Sequence, residues 1–244
     1  MKLEVPAVVH SIFEIAAFFA GFRYYVFLKK RQGDVIPMLN RIWIIVGATG
    51  GALIGSRLVG AFEDPAWLCD ATFTNVFAAF NTKTIVGGLY GGLAGVEITK
   101  YFLREHNRSG DLFVFPILLA LIIGRVGCFL TALQDHTAGG VTSLPWGIDY
   151  GDGIARHPLP LYEILFLTGL WIALYRAKQS QKFAPGALFM LFMTAYTIFR
   201  FGIEFLKADH LYPWKLSAIQ TVCALGLLYY YRVLFRPKTL LAYA

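Results

Sequence analysis

The constraint that dominates this 244-residue chain is the run of apolar stretches, each near the ~20 residues that a helix needs to cross a bilayer. They fall at roughly 6–28, 37–62, 83–103, 111–131, 159–176, 184–206 and 215–234, which predicts seven helices separated by short polar or glycine-bearing connectors. Hydrocarbon offers no partner for a bare peptide group, so spanning segments of this length fold as helices. Charged residues make up 15% of the chain, where a soluble domain carries about 25%. The expected fold is therefore all-α and polytopic, a single seven-helix transmembrane domain over 1–244. Hydrophobicity of 57% assigns the net charge of +7 to membrane-facing loops and not to nucleic acid. Cys69, Cys128 and Cys223 show no metal or disulfide spacing, so no metal and no cofactor is expected. The first apolar stretch reads as a retained helix, since no small-x-small cleavage site follows it.

Orientation follows from the basic residues. With the N-terminus outside, thirteen Lys and Arg fall in inner connections and five in outer ones, which predicts N-out and C-in. Four arginines lie within the spans themselves: Arg23, Arg57, Arg125 and Arg200. A guanidinium there costs at least about 2.5–3.5 kcal/mol and does not escape by losing its proton. Arg23 and Glu97 lie toward inner ends, where Arg23 can snorkel. The others share the outer half with His10, Glu14, Tyr162, Glu163, Glu204 and Gln220, and one outward-facing polar cavity explains that common depth. Tyr196, Arg200 and Glu204 follow at i, i+4 and i+8, on one helix face. Two guanidiniums, Arg125 and Arg200, suit a phosphate gripped from two sides. The longest outer connection, 132–158, is expected to line the site.

Residues Gly124-Arg125-Val126-Gly127-Cys128-Phe129 resemble the signature G-R-x-G-N-F of the prolipoprotein diacylglyceryl transferases. Arg156-His157-Pro158 with Leu161-Tyr162-Glu163 is similar to that family's R-H-P-S-Q-L-Y-E. Tyr196 through Arg200 with Glu204-Phe205 resembles Y-G-x-F-R…E-F, and Gly55-Ser56-Arg57-Leu58 and Leu216 to Gln220 fit as well. The resemblance implies a bacterial inner-membrane enzyme. It would move diacylglyceryl from phosphatidylglycerol to the lipobox cysteine thiol of a prolipoprotein signal peptide. It implies that Arg125 and Arg200 bind and neutralise the phosphate, with Tyr196, Glu163 and Asp135 in the catalytic set. Arg57, Tyr162, His157, Tyr90, Glu204 and Cys128 would contact substrate.

The chain departs from the family at several positions. Cys128 and Thr131 replace asparagines, and Leu133 stands at an acidic position, with Asp135 two residues on. Pro160 replaces a glutamine. The histidine of H-G-G is Tyr90 or Val86, depending on register, which leaves His136, His157, Asp135 or Tyr90 to serve as base. The alternative readings are a paralogue that gives phosphatidylglycerol's lipid to another acceptor, or a lipid-binding membrane protein without the chemistry.

Overall fold

In the computed structural model, residues 8–63, 72–135, 137–207, 212, 215–235 and 240–241 are described. The chain is mostly helical. Its helices are α1 (Val8–Gln32), α2 (Met38–Ala61), α3 (Phe73–Asn81), α4 (Ile85–Leu103), α5 (Val114–Leu130), α6 (Leu159–Ser180), α7 (Ala187–Ile203), α8 (Ala218–Tyr229) and α9 (Tyr231–Phe235). Among the described residues, five segments are long and apolar enough to cross a membrane: α1, α2, Gly110–Leu130, α6 and Ala187–Leu206. The third expected span, α4, has 19 residues but carries Gly87, Gly88, Gly91, Gly92 and Gly95 with Glu97 and Lys100, which dilutes its apolar character. The last expected span is divided at Tyr230 into a 12-residue α8 and a 5-residue α9. At 1.5 Å per residue, α8 alone is about 18 Å long, short of a ~30 Å hydrocarbon core.

Helix ends follow their sequence signals. Ser217 and Gln220 form a reciprocal capping box at the start of α8. Thr84 accepts the Gly87 amide at the start of α4. Gly186, at φ +84°, lets the chain turn into α7, and the Asp111 carboxylate caps that helix from across the bundle, accepting the Gly186 and Phe189 amides at 2.8 and 2.9 Å. Lys29, Lys30 and Arg31 close α1, where cations complement the helix dipole.

Packing runs in an open series: α1 on α5, α5 on α6, α6 on α7, α7 on α8, α8 on α4 and α4 on α2. The tightest seam joins α2 to α4. Gly47, Gly51 and Gly55 oppose Gly95, Gly91 and Gly87 in antiparallel order, and a methyl on any of them would overlap the opposing helix, the Thr99 side chain for Gly47 and backbone for the rest. Small residues at every fourth position on both partners let the two backbones touch, the usual solution where no hydrophobic effect drives helices together. Sequence inspection registers the glycines of α4 but not their counterparts on α2.

Between the α1/α5 and α2/α4 pairs lies an elongated cavity of about 1700 Å³. Ala48, Ala52, Gly88, Gly92, Ile117 and Leu121 give its middle an apolar wall, and its two ends are polar.

Candidate functional site

One carboxylate organises the end of the cavity where α6 begins. Glu163, near the start of α6, is 1% exposed and accepts the Tyr196 hydroxyl at 2.7 Å and Arg200 Nη1 at 3.1 Å. Arg125 Nε reaches the same carboxylate at 2.9 Å, as an ion-pair contact short of hydrogen-bond alignment. Three helices thus converge: α5 brings Arg125, α6 brings Glu163, and α7 brings Tyr196 and Arg200. Arg200 Nη2 also pairs with Glu204 at 2.9 Å, one turn further along. Lys207 extends the chain of charges, 3.9 Å from Glu204 and 3.7 Å from Glu63. Glu63 in turn accepts the Ile219 amide at 3.0 Å and fixes the start of α8.

The carboxylates leave both guanidiniums with unspent donors. A guanidinium has five N–H groups in a planar fork. Arg200 Nε is buried and finds no hydrogen-bond partner among the described residues. Arg125 spends Nε on Glu163 and Nη1 on the Cys128 sulfur at 3.6 Å, and no described residue bonds its Nη2. Glu163 sets the two arginines a fixed distance apart, and both line the cavity. Such a pair can receive one further oxyanion without first moving a side chain.

The remaining candidates divide into those on the cavity wall and those away from it. Arg57 lines the cavity and donates to the Phe80 carbonyl at 2.7 Å and to Asn81 at 3.3 Å, which ties α2 to the end of α3. Asp135 lines it too, bonded to the Thr131 hydroxyl and 2.8 Å from His10 Nδ1. Cys128 lies beside Arg125 on the same wall, its thiol 9% exposed as a residue. Tyr90 turns elsewhere: its hydroxyl shares a 2.7 Å hydrogen bond with Thr197 and packs against Gly226, away from the cavity wall. Tyr162 of α6 and His157 form a separate cluster with Trp146 (Trp146 Nε1 to Tyr162 at 2.8 Å, His157 Nδ1 to Tyr162 at 3.3 Å) where the 132–158 connection meets α6. His136 lies outside the described residues.

That connection is only partly site-lining. Asp135 and Thr137 reach the cavity. The rest forms a small hairpin, β1 (Ile148–Asp149) with β2 (Ala155–Arg156), whose turn is held by the Asp149 carboxylate and an Arg156–Asp152 pair. Gly140 donates to the Leu206 carbonyl at 2.8 Å, anchoring the hairpin over the end of α7.

Sequence reasoning missed three participants. Lys207, Glu63 and Lys83 lie in connections, where a charge is ordinarily solvated, and Lys83 pairs with Glu14 at 3.0 Å to join α1 to the α3–α4 turn. Among the described residues, no group of three His, Cys, Asp or Glu side chains is placed to hold a metal.

The family model described as prolipoprotein diacylglyceryl transferase matches residues 2–236. A phosphatidylglycerol–prolipoprotein diacylglyceryl transferase of Clostridioides difficile is 36% identical over 159 residues, covering 63% of this chain and 62% of the relative. One of Campylobacter jejuni, strain 81-176, is 30% identical over 222 residues, with 81% and 79% covered. A third, of Wolinella succinogenes, is 32% identical over 190 residues, with 70% and 66% covered.

Proposed function

The chain belongs to the prolipoprotein diacylglyceryl transferase family, and from that premise we propose that it transfers diacylglyceryl from phosphatidylglycerol to the cysteine thiol of a prolipoprotein signal peptide. The observation that carries this reading is the pair of buried guanidiniums, Arg125 and Arg200, spaced by Glu163 at the polar end of a long apolar cavity. A phospholipid has the matching form, a phosphate at one end and acyl chains along the wall.

In this reading the thiolate sulfur attacks the glyceryl carbon and the carbon–oxygen bond to phosphate breaks. Glycerol phosphate departs with the bonding electrons. Arg125 and Arg200 hold the phosphate and meet the charge that grows on the leaving oxygen. Tyr196 and Glu204 fix the arginines through Glu163 and Arg200, and the thiol proton must go to a base, because the thiolate is the nucleophile. Arg57 flanks the headgroup, and Cys128 sits where the phosphate meets Arg125. Tyr162, His157 and the hairpin of 132–158 form the outer rim that the peptide approaches.

The topology belongs to the same proposal. Helices α1, α2, α4, α5, α6, α7 and the α8–α9 pair make seven crossings in one domain. The N-terminus and the site face outward, and the C-terminus lies in the cytoplasm of a bacterial inner membrane. Support comes from the contacts His10–Asp135, Glu14–Lys83, Arg125–Glu163, Arg200–Glu163 and Glu63–Ile219, which link these seven helices or their ends around one end of the cavity.

The test is reconstitution in phosphatidylglycerol vesicles with a lipobox peptide. Release of glycerol phosphate together with a thioether-linked diacylglyceryl peptide is expected. Lipid binding with no release would overturn the proposal, and release only with a different acceptor would replace its acceptor half.

A further inference from the structure

A thiol acceptor needs a proton acceptor within reach of the phosphate site. Glu163 is a poor choice, because three donors already occupy its oxygens. Of the histidines, His157 is turned to Tyr162 in the outer connection, His106 lines the opposite end of the cavity, and His136 and His210 lie outside the described residues. His10 is different. It stands in the first turn of α1, lines the outer end of the cavity, and has its Nδ1 2.8 Å from Asp135 Oδ2.

The backbone is built to bring it there. A methyl on Gly127 would come within 2.7 Å of the Phe13 Cβ and 3.6 Å of the His10 carbonyl, so α1 lies directly against α5 beside Arg125 and Cys128. Asp135 is itself held by the Thr131 hydroxyl from the end of α5. His10 and Asp135 keep 30% and 29% of their side-chain surface open, and no described residue bonds His10 Nε2. The other charged groups on this end of the cavity are Arg125 and Arg200 with Glu163 and Glu204, Lys207 with Glu63, Arg57, and the Glu14–Lys83 pair.

We infer that His10, oriented by Asp135, is the general base that takes the proton from the acceptor thiol. A carboxylate beside Nδ1 selects the tautomer with its proton on Nδ1 and leaves Nε2 as the acceptor. The Nδ1 contact lacks hydrogen-bond alignment in the unliganded site, and such contacts tighten when substrate binds. The step balances: the thiol proton moves to Nε2, the sulfur–carbon bond forms, the carbon–oxygen bond breaks, and the imidazolium later gives its proton to water. Asp135 acts as a positioning residue.

The inference rests on the transferase reading, and one experiment separates the two. Wild type, His10→Gln, Asp135→Asn and His136→Gln are reconstituted in phosphatidylglycerol with a lipobox peptide, and lipid binding and transfer are followed against pH. Wild-type transfer should rise with pH to a plateau, because only the unprotonated base can take the thiol proton. His10→Gln should bind lipid as wild type does and transfer about a hundredfold or more slowly. Its rate should still climb toward the thiol's own pKa of about 8.5. Asp135→Asn should lower the plateau and keep lipid binding. A silent wild type overturns the transferase reading and this inference with it. An active wild type with transfer preserved in His10→Gln, or with loss confined to His136→Gln, overturns this inference alone.

Discussion

The molecule holds buried arginines at both ends of its cavity, and they are bound in opposite ways. At the end beside the α1–α2 turn Arg41, 2% exposed, gives Nε and Nη2 to the two oxygens of Asp34, at 2.7 and 2.5 Å, and its guanidinium lies 5.4 Å from the Phe113 ring centre. Lys29 adds a second cation 3.6 Å from the same carboxylate. That fork is matched to one planar partner. At the other end two arginines share Glu163 and keep donors in reserve. A saturated bidentate pair locks the α1–α2 turn, whereas an under-filled pair is set to receive an anion.

The comparison breaks first at Arg41. Replacing it with Ala strands a buried carboxylate and should cost about 3–5 kcal/mol of stability. A thermal unfolding midpoint measured in detergent reads that loss, and turnover per folded molecule should stay at the wild-type level. The double change Arg41→Met with Asp34→Leu should recover most of the stability, since removing both partners leaves no orphan charge.

Arg125→Ala and Arg200→Ala should do the reverse. Each removes a donor aimed at the phosphate and should lower transfer by about 100–1000-fold. If Arg125→Ala and Arg41→Ala instead lowered turnover alike, the distinction between a structural and a binding arginine would fail.

The smallest expected effect is in acid. Burial pushes the Asp34 carboxyl up, but hydrogen bonds from Arg41 and the Ile36 amide, with the charges of Arg41 and Lys29, bring it below the ordinary carboxylate value. A depressed folded-state pKa gives stability that is present above the unfolded value of about 3.9 and is lost as pH falls through the lower folded one. The stability gap between wild type and the double variant should therefore be constant at pH 5–7 and change only below about pH 4.

Much of the outer site is legible in the sequence because a charge inside an apolar run has to be explained. Arg125, Glu163, Arg200 and Glu204 announce themselves that way, and the structure joins them in one network. Arg41 does not, because it stands at the edge of a span, where a cation is expected to be solvated. The position of Tyr90 is hidden for another reason: a glycine motif does not tell which face of α4 meets the cavity, and the structure sets Tyr90 against Thr197 and Gly226. The hairpin and α3 depend on contacts such as Gly140 to Leu206 and Arg57 to Phe80, which no local periodicity carries.

The sharing of Glu163 has a consequence for turnover. Arg125, Arg200 and Lys207 stand against Glu163, Glu204 and Glu63, so the resting site is already electrically balanced. A phosphodiester enters with one surplus negative charge, and cleavage turns it into a phosphomonoester carrying about 1.5 to 2. The surplus grows as the bond breaks, and the further cations on this end of the cavity, Arg57 and Lys83, are already engaged by the Phe80 carbonyl and by Glu14. Product is thus held less comfortably than substrate, and emptying the site returns it to neutrality.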